Sequence, residues 1–117
     1  MKENRNYYHT LKIHFDDLVI TGTCFLDTGN NVVDPYLNRS VIILDKRKFI
    51  YDLNRFKMIL VPITTANRSS MIKCLVPSKV EVDDKEAKNV LIGLLDEEIK
   101  IDGVDAIISL KVMEGLC

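Results

Sequence analysis

A mostly β fold in one domain is what this sequence predicts, and three observations lead there. Near the N-terminus Leu11, Ile13 and Phe15 alternate with Lys12 and His14, the period of a strand with one face buried. Short apolar runs rich in valine and isoleucine recur down the chain, bounded by Asp, Asn, Gly or Pro. The length, 117 residues, suits one compact domain able to bury a core without covalent staples.

Taken in order, "YYHTLKIHFDDLVITGTCFL" reads as a β-hairpin that turns at Asp16-Asp17 and ends at Leu26. "SVIILD" (40–45) reads as a buried strand. "DKRKFIYDLNRF" (45–56) predicts a short helix with Phe49, Ile50 and Leu53 on one side. "KMILVPIT" and "SMIKCLVPSKVEV" read as two more strands around a polar link; Pro62 and Pro77 lack an N–H and so belong on an edge or at a break. "KNVLIGLL" and "GVDAIISLKVM" add two further apolar runs. No internal repeat, low-complexity tract or linker divides the chain.

Composition narrows the function. With 47% apolar residues, 28% charged residues and a formal net charge of −1, the chain has neither a disordered acidic tail nor an electrostatic grip on nucleic acid. Small polar or peptide ligands fit better. Cys24, Cys74 and Cys117 are too few and too scattered for a disulfide framework or a CxxC metal site, which points to a reducing compartment. No apolar stretch approaches the roughly 20 residues that span a bilayer, and the opening "MKENRN" lacks the apolar centre of a signal peptide. Taken alone, the chain is expected to be soluble.

The stretch "FLDTGNNVVDP" (25–35) carries the chemistry. As a turn it is unremarked: Asp, Gly and Asn are turn formers, and Gly29 can take positive φ without steric cost. Asp-Thr-Gly alone arises by chance in roughly one chain in fifty of this length. Its setting says more, because it follows an apolar strand and is followed, 66 positions on, by "VLIG" (90–93), an apolar run closed by glycine.

This pair of motifs resembles the retropepsin-like aspartic peptidases, in which an Asp-Thr-Gly loop is braced by a later apolar-apolar-Gly segment. The order "ITG" (20–22), "FLDTGN", "DP" (34–35), "SVIILD", "VPITT", "VPSKVEV" and "VLIG" resembles the C-terminal peptidase domain of the sporulation sigma-E factor processing peptidases, from about Leu11 to Gly93. The resemblance implies a single-lobe retropepsin-like β-barrel with one or two short helices, over 1–117. It makes Asp27 the catalytic acid and Thr28 the residue whose hydroxyl bonds across a dimer axis. It has Gly29 turn the backbone beneath the carboxylate and offer its N–H, and gives Asn30 a place in the same loop. Leu91, Ile92 and Gly93 would support the loop from behind.

The chemistry requires two acids. A water deprotonated by one carboxylate attacks the peptide carbonyl while a second, protonated carboxyl polarises it, and the two sit close enough to share a proton. This chain has one Asp-Thr-Gly and no room for a second lobe, so the second acid must come from another copy in a two-fold homodimer. No cofactor and no metal is implied. By resemblance the substrate is the N-terminal pro-segment of a sporulation sigma factor, with room for an activating signal protein. The family's N-terminal membrane half would hold the full-length protein in the sporulation septum with this domain facing the mother-cell cytoplasm.

Other residues have plainer readings. His14 belongs on a solvated strand face, Cys24 in the core, and Asp83-Asp84 and "DEE" (96–98) in solvated turns or helix starts. The link "TANRSS" (65–70) reads either as a substrate-covering flap or as a plain hairpin. Against the peptidase stands a noncatalytic dimerisation or peptide-binding module of the same fold. A glycosidase ranks third, because no motif places its second acid.

Overall fold

The structure, a computed structural model, describes residues 6–65 and 68–117, apart from the side chains of 64, 65 and 68. β1 (Tyr8–Phe15) and β2 (Leu18–Leu26) form the predicted hairpin, in register from Tyr8 opposite Phe25 to Phe15 opposite Leu18. Their inward side chains, Leu11, Ile13, Phe15, Ile20, Cys24 and Leu26, are buried, which is what the alternation predicts. β3 (Val33–Asp34) pairs with the start of β4 (Arg39–Asp45). In β4, Ile42 and Leu44 enter one hydrophobic cluster, while Val41 and Ile43 enter a second on the other face. A strand covered on both sides has no polar face to display, hence the unbroken apolar run.

The helix expected over 45–56 does not form. Two 3-10 turns, Lys46–Lys48 and Leu53–Arg55, take its place. The carboxylates of Asp45 and Asp52 accept the N–H groups of Arg47 and Asn54, closing each turn locally where a helix would propagate. Phe49 is extended between them (φ −110°, ψ 91°) and sets its ring edge-on to Phe15 and Phe56. The α-helix, α1 (Leu110–Glu114), instead follows Ser109, whose hydroxyl accepts the Val112 N–H at 3.3 Å.

β5 (Met58–Thr65) and β6 (Arg68–Leu75) form a long hairpin, and Pro62 lies on β5 at the sheet edge, as its missing N–H requires. Of "TANRSS", Ala66 and Asn67 lie outside the described residues, and the expected flap with them. The run read as one strand over 70–82 breaks at Pro77, so β7 (Lys79–Val82) pairs with β1 instead. β8 (Lys85–Glu86), β9 (Val90–Leu95) and β10 (Ala106–Ile108) complete the set. No helix among the described residues is long and apolar enough to cross a membrane.

All ten strands belong to one sheet in the order β5-β6-β9-β4-β10-β2-β1-β7-β8, with β3 on β4. The path is open. No pairing among the described residues joins β5 to β8, so the sheet does not close into the barrel expected from the sequence. The physical reason lies at the edges: β5 carries a proline and β8 is two residues long, so neither offers the other a full row of donors and acceptors. β10 runs parallel to β2 and antiparallel to β4, filling the space between them. β2 and β4 are the two strands that the Asp27 segment connects.

Gly93 lies where β9 is pressed between β4 and β6. A Cβ there would come within 2.8 Å of Val41 Cγ1 and 3.0 Å of Ile72 Cδ1. Gly93→Ala is therefore expected to lower the unfolding free energy by about 1–3 kcal/mol, the cost of overpacking a filled core. Urea titration reads this as a lower midpoint at constant slope; an unchanged midpoint would mean that the two neighbours yield freely.

Candidate active site

Asp27 is the first residue beyond β2, and its N–H donates to the Ile108 carbonyl at 3.0 Å. Its own carbonyl accepts the Asn30 N–H at 3.1 Å, closing a turn over 27–30. Inside that turn the carboxylate Oδ1 accepts the Gly29 N–H at 3.0 Å. The side chain is half-buried, and among the described residues no other protein donor reaches the carboxylate and no basic group pairs with it. The carboxyl is therefore aimed by one N–H and keeps most of its acceptor capacity.

Gly29 does not take the positive φ that the turn reading allows it. What it supplies is the N–H and a missing side chain, since a Cβ would lie 3.4 Å from Asp27 Oδ1. Thr28 is exposed at the crest of the turn. Asn30 accepts the Val32 N–H on Oδ1 at 3.4 Å, while its enclosed Nδ2 has no hydrogen-bond partner among the described residues. A buried donor left so costs about 1–3 kcal/mol.

Leu91, Ile92 and Gly93 stand further off than the sequence suggests. They lie in β9, separated from β2 by β4 and β10, and Leu91 shares its cluster with Val32, through which it reaches the chain just beyond the loop. The segment bonded to the Asp27 backbone is β10, where Ile107 and Ile108 lie opposite Phe25 and Leu26, and Ser109 then starts α1. The sequence carried a signal for it: "IIS" is two apolar residues and a small one, with serine where the pattern has glycine.

Three further aspartates hold this frame. Asp105 Oδ2 accepts the Thr23 N–H at 2.9 Å and lies 2.6 Å from where a Cβ on Gly22 would sit, which explains the glycine of "ITG". Asp34, from "DP", is fully buried and accepts from Tyr36 N, Leu37 N and Arg39 Nε. Burial pushes its carboxyl up, but the Arg39 bond, the two backbone N–H groups and the Arg39 charge outweigh this and hold it below the usual carboxylate range. Asp45 is held far below that range, first by the Arg47 side chain, against burial, and then by the N–H groups of Arg47 and Ile99.

The remaining candidates have structural duties. His14 is half-buried with Nε2 2.7 Å from Glu81 Oε1. Cys24 is fully buried, and burial, followed by the Asp83 charge, pushes its thiol up to about 12, which excludes a nucleophile at neutral pH. Asp83 and Asp84 form a turn, and residues 96–98 are exposed. No group of three His, Cys, Asp or Glu side chains among the described residues is placed to hold a metal. An open cleft of about 690 Å³ between Arg47 and the 98–105 segment does not include Asp27. Beside the Asp27 strand end, Tyr7 stacks on Phe25 with centroids 5.8 Å apart, and Tyr8 meets the same ring edge-on at 5.4 Å.

The buried carboxylates set a pH response. The folded-state pKa of Asp34 and of Asp45 lies below its unfolded value, so each contributes stability that is complete above the ordinary carboxylate range and lost as pH falls through the folded value. Arg39→Met removes the charged donor to Asp34 and is expected to cost about 1.5–3 kcal/mol at neutral pH. The cost should shrink in acid, where Asp34 can become neutral; equal losses in urea melts at neutral and acid pH would refute this role. In comparisons with known proteins, no protein-family model and no curated protein matches the sequence.

Proposed function

We propose that this chain is the peptidase domain of an aspartic endopeptidase with a single-lobe retropepsin-like fold, active as a homodimer in which each copy contributes Asp27. The observation that carries the reading is the half-buried carboxylate at the end of β2, aimed by the Gly29 N–H, braced through Ile108 and, among the described residues, left without a partner acid or base. The buried turn aspartate Asp34 is filled by three donors, and Asp52, which like Asp27 accepts a single N–H, is exposed. The strand inserted between β2 and β4 also supports the reading, because it braces the Asp27 loop with an apolar pair, although that pair is Ile107-Ile108 followed by Ser109 and not "VLIG".

In the dimer the two Asp27 carboxyls share one proton across the axis. The ionised one removes a proton from a water, which attacks the scissile carbonyl carbon. The protonated one gives its proton to the carbonyl oxygen. Collapse of the tetrahedral intermediate breaks the C–N bond: the leaving amine takes up the proton that the first carboxyl received, and a hydroxyl of the intermediate returns its proton to the second carboxyl, which restores the shared proton. The resemblance to the sporulation sigma-E factor processing peptidases makes the substrate a pro-sigma factor. It also gives the full-length protein a membrane half that anchors this domain at the septum, facing the mother-cell cytoplasm.

Asp27→Asn is expected to abolish cleavage of a pro-sigma factor while leaving stability within about 0.5 kcal/mol, as for exposed sites with no core role. Cleavage by wild-type chains should rise more steeply than linearly with concentration, and heterodimers with Asp27→Asn should be inactive. Full activity per wild-type chain where heterodimers form would sink the two-chain mechanism; retained activity in Asp27→Asn would leave the noncatalytic module as the better reading. Thr28→Ala should weaken the dimer by about 0.5–1.5 kcal/mol per lost bond, with the monomer melting point unmoved. Sedimentation across a concentration series reads that constant, and no change would remove Thr28 from the axis.

A further inference from the structure

The pairing of β1 with β2 continues past the end of the strand: the Leu26 N–H, one residue before Asp27, donates to the Tyr7 carbonyl at 2.7 Å. Asn6 to Tyr8 thus lie along the residues that lead into the active turn. Asn6 and Tyr7 precede β1, and a segment outside the ladder holds its place only where side chains tie it down. Here the tie is His9, which is buried, with Nδ1 bonded to Asp83 Oδ2 at 2.5 Å and Nε2 bonded to the Asn6 carbonyl at 2.8 Å. Asn6 in turn accepts the Tyr8 N–H on Oδ1 at 3.1 Å.

Its two partners, a carboxylate and a backbone carbonyl, hold the ring at both nitrogens, one on each side. Asp83 is itself fixed, accepting the Thr10 N–H at 3.0 Å and the Thr10 hydroxyl at 3.2 Å. It stands with Asp84 in a two-residue turn at φ +51° and +65°, positions that glycine or asparagine would fill at lower cost. The bonds from His9 and Thr10 are what a carboxylate gains there. The other ionisable groups near this clasp, among the described residues, are Asp84, paired with Lys12 at 3.7 Å, and the Cys24 thiol, which donates to the His9 carbonyl.

We propose that His9 is a positioning residue for Asp27: bonded at both ring nitrogens, it clasps Asn6–Tyr8 to the β7–β8 turn, holds Tyr7 against Leu26, and so orders the strand end from which the Asp27 turn departs. Only the effect on cleavage rests on the peptidase reading. The ordering of the strand end does not.

Hydrogen exchange of the Leu26 amide tests the clasp in wild type, His9→Gln and Asp83→Asn. Asparagine suits the left-handed turn, so the second variant keeps the fold if the first loses it. Protection at Leu26 is expected to fall about tenfold in both, with a smaller fall at Asp27 and no change at the amides of β4 and β9. Cleavage should lose kcat with KM held. Unchanged protection at Leu26 in both variants, or a uniform loss across the sheet, would overturn the proposal. Cleavage that survives in Asp27→Asn would refute the catalytic reading alone and leave the exchange results to decide the clasp.

Discussion

β2 and β4 never pair with each other, because β10 stands between them. Nearly every feature of the Asp27 site follows from that separation. The chain leaving β2 must bridge the width of an intervening strand, and the turn over 27–30 begins the bridge. The N–H at its start would lack an acceptor were the Ile108 carbonyl not beside it. Asp105, just before β10, completes the seam by taking the Thr23 N–H on its side chain and giving its carbonyl to the Asp45 N–H. One three-residue strand therefore ties the site to both of its flanks.

Aspartates do most of the fastening, and their surroundings separate them into two kinds. The Asp45 carboxylate accepts from Arg47 N, Nε and Nη2 and from Ile99 N, while Asp83 accepts from His9 and twice from Thr10. Carboxylates so filled are rigid joints, with little left to offer a substrate. Asp27 is half-buried and yet accepts one N–H, a combination that the exposed Asp52, with its single bond, does not share. Chemical availability in this chain is thus a matter of few bonds in a partly enclosed place.

Local patterns in the sequence foretold the strands well and their partners poorly. Alternation at Leu11, Ile13 and Phe15 reports a half-buried strand because side chains repeat every second residue whatever lies across the ladder. Pro62 on an edge and Pro77 at a break follow from a missing N–H, and the burial of Cys24 from its apolar company. The periodic spacing in 45–56 misled, since the short-range bonds of Asp45 and Asp52 win over helix propagation. The brace was harder still to read. "VLIG" and "IIS" are alike as local patterns, and only a contact between residues some eighty positions apart decides which of them reaches Asp27. The open sheet belongs to the same class, because closure depends on two edges far apart in the chain.

The place of β10 far along the chain from β2 has a consequence for synthesis. A polypeptide emerging from a ribosome presents Asp27 well before Ile108. Until the latter is free, β2 has no neighbour on the side of β4, and the Asp27 N–H has no carbonyl to meet. Contacts so distant in sequence are slow to form even in a finished chain. The geometry of the Asp27 turn is therefore set only once β10 has been made, and a nascent chain that stops short of β10 carries the aspartate without the frame that aims it.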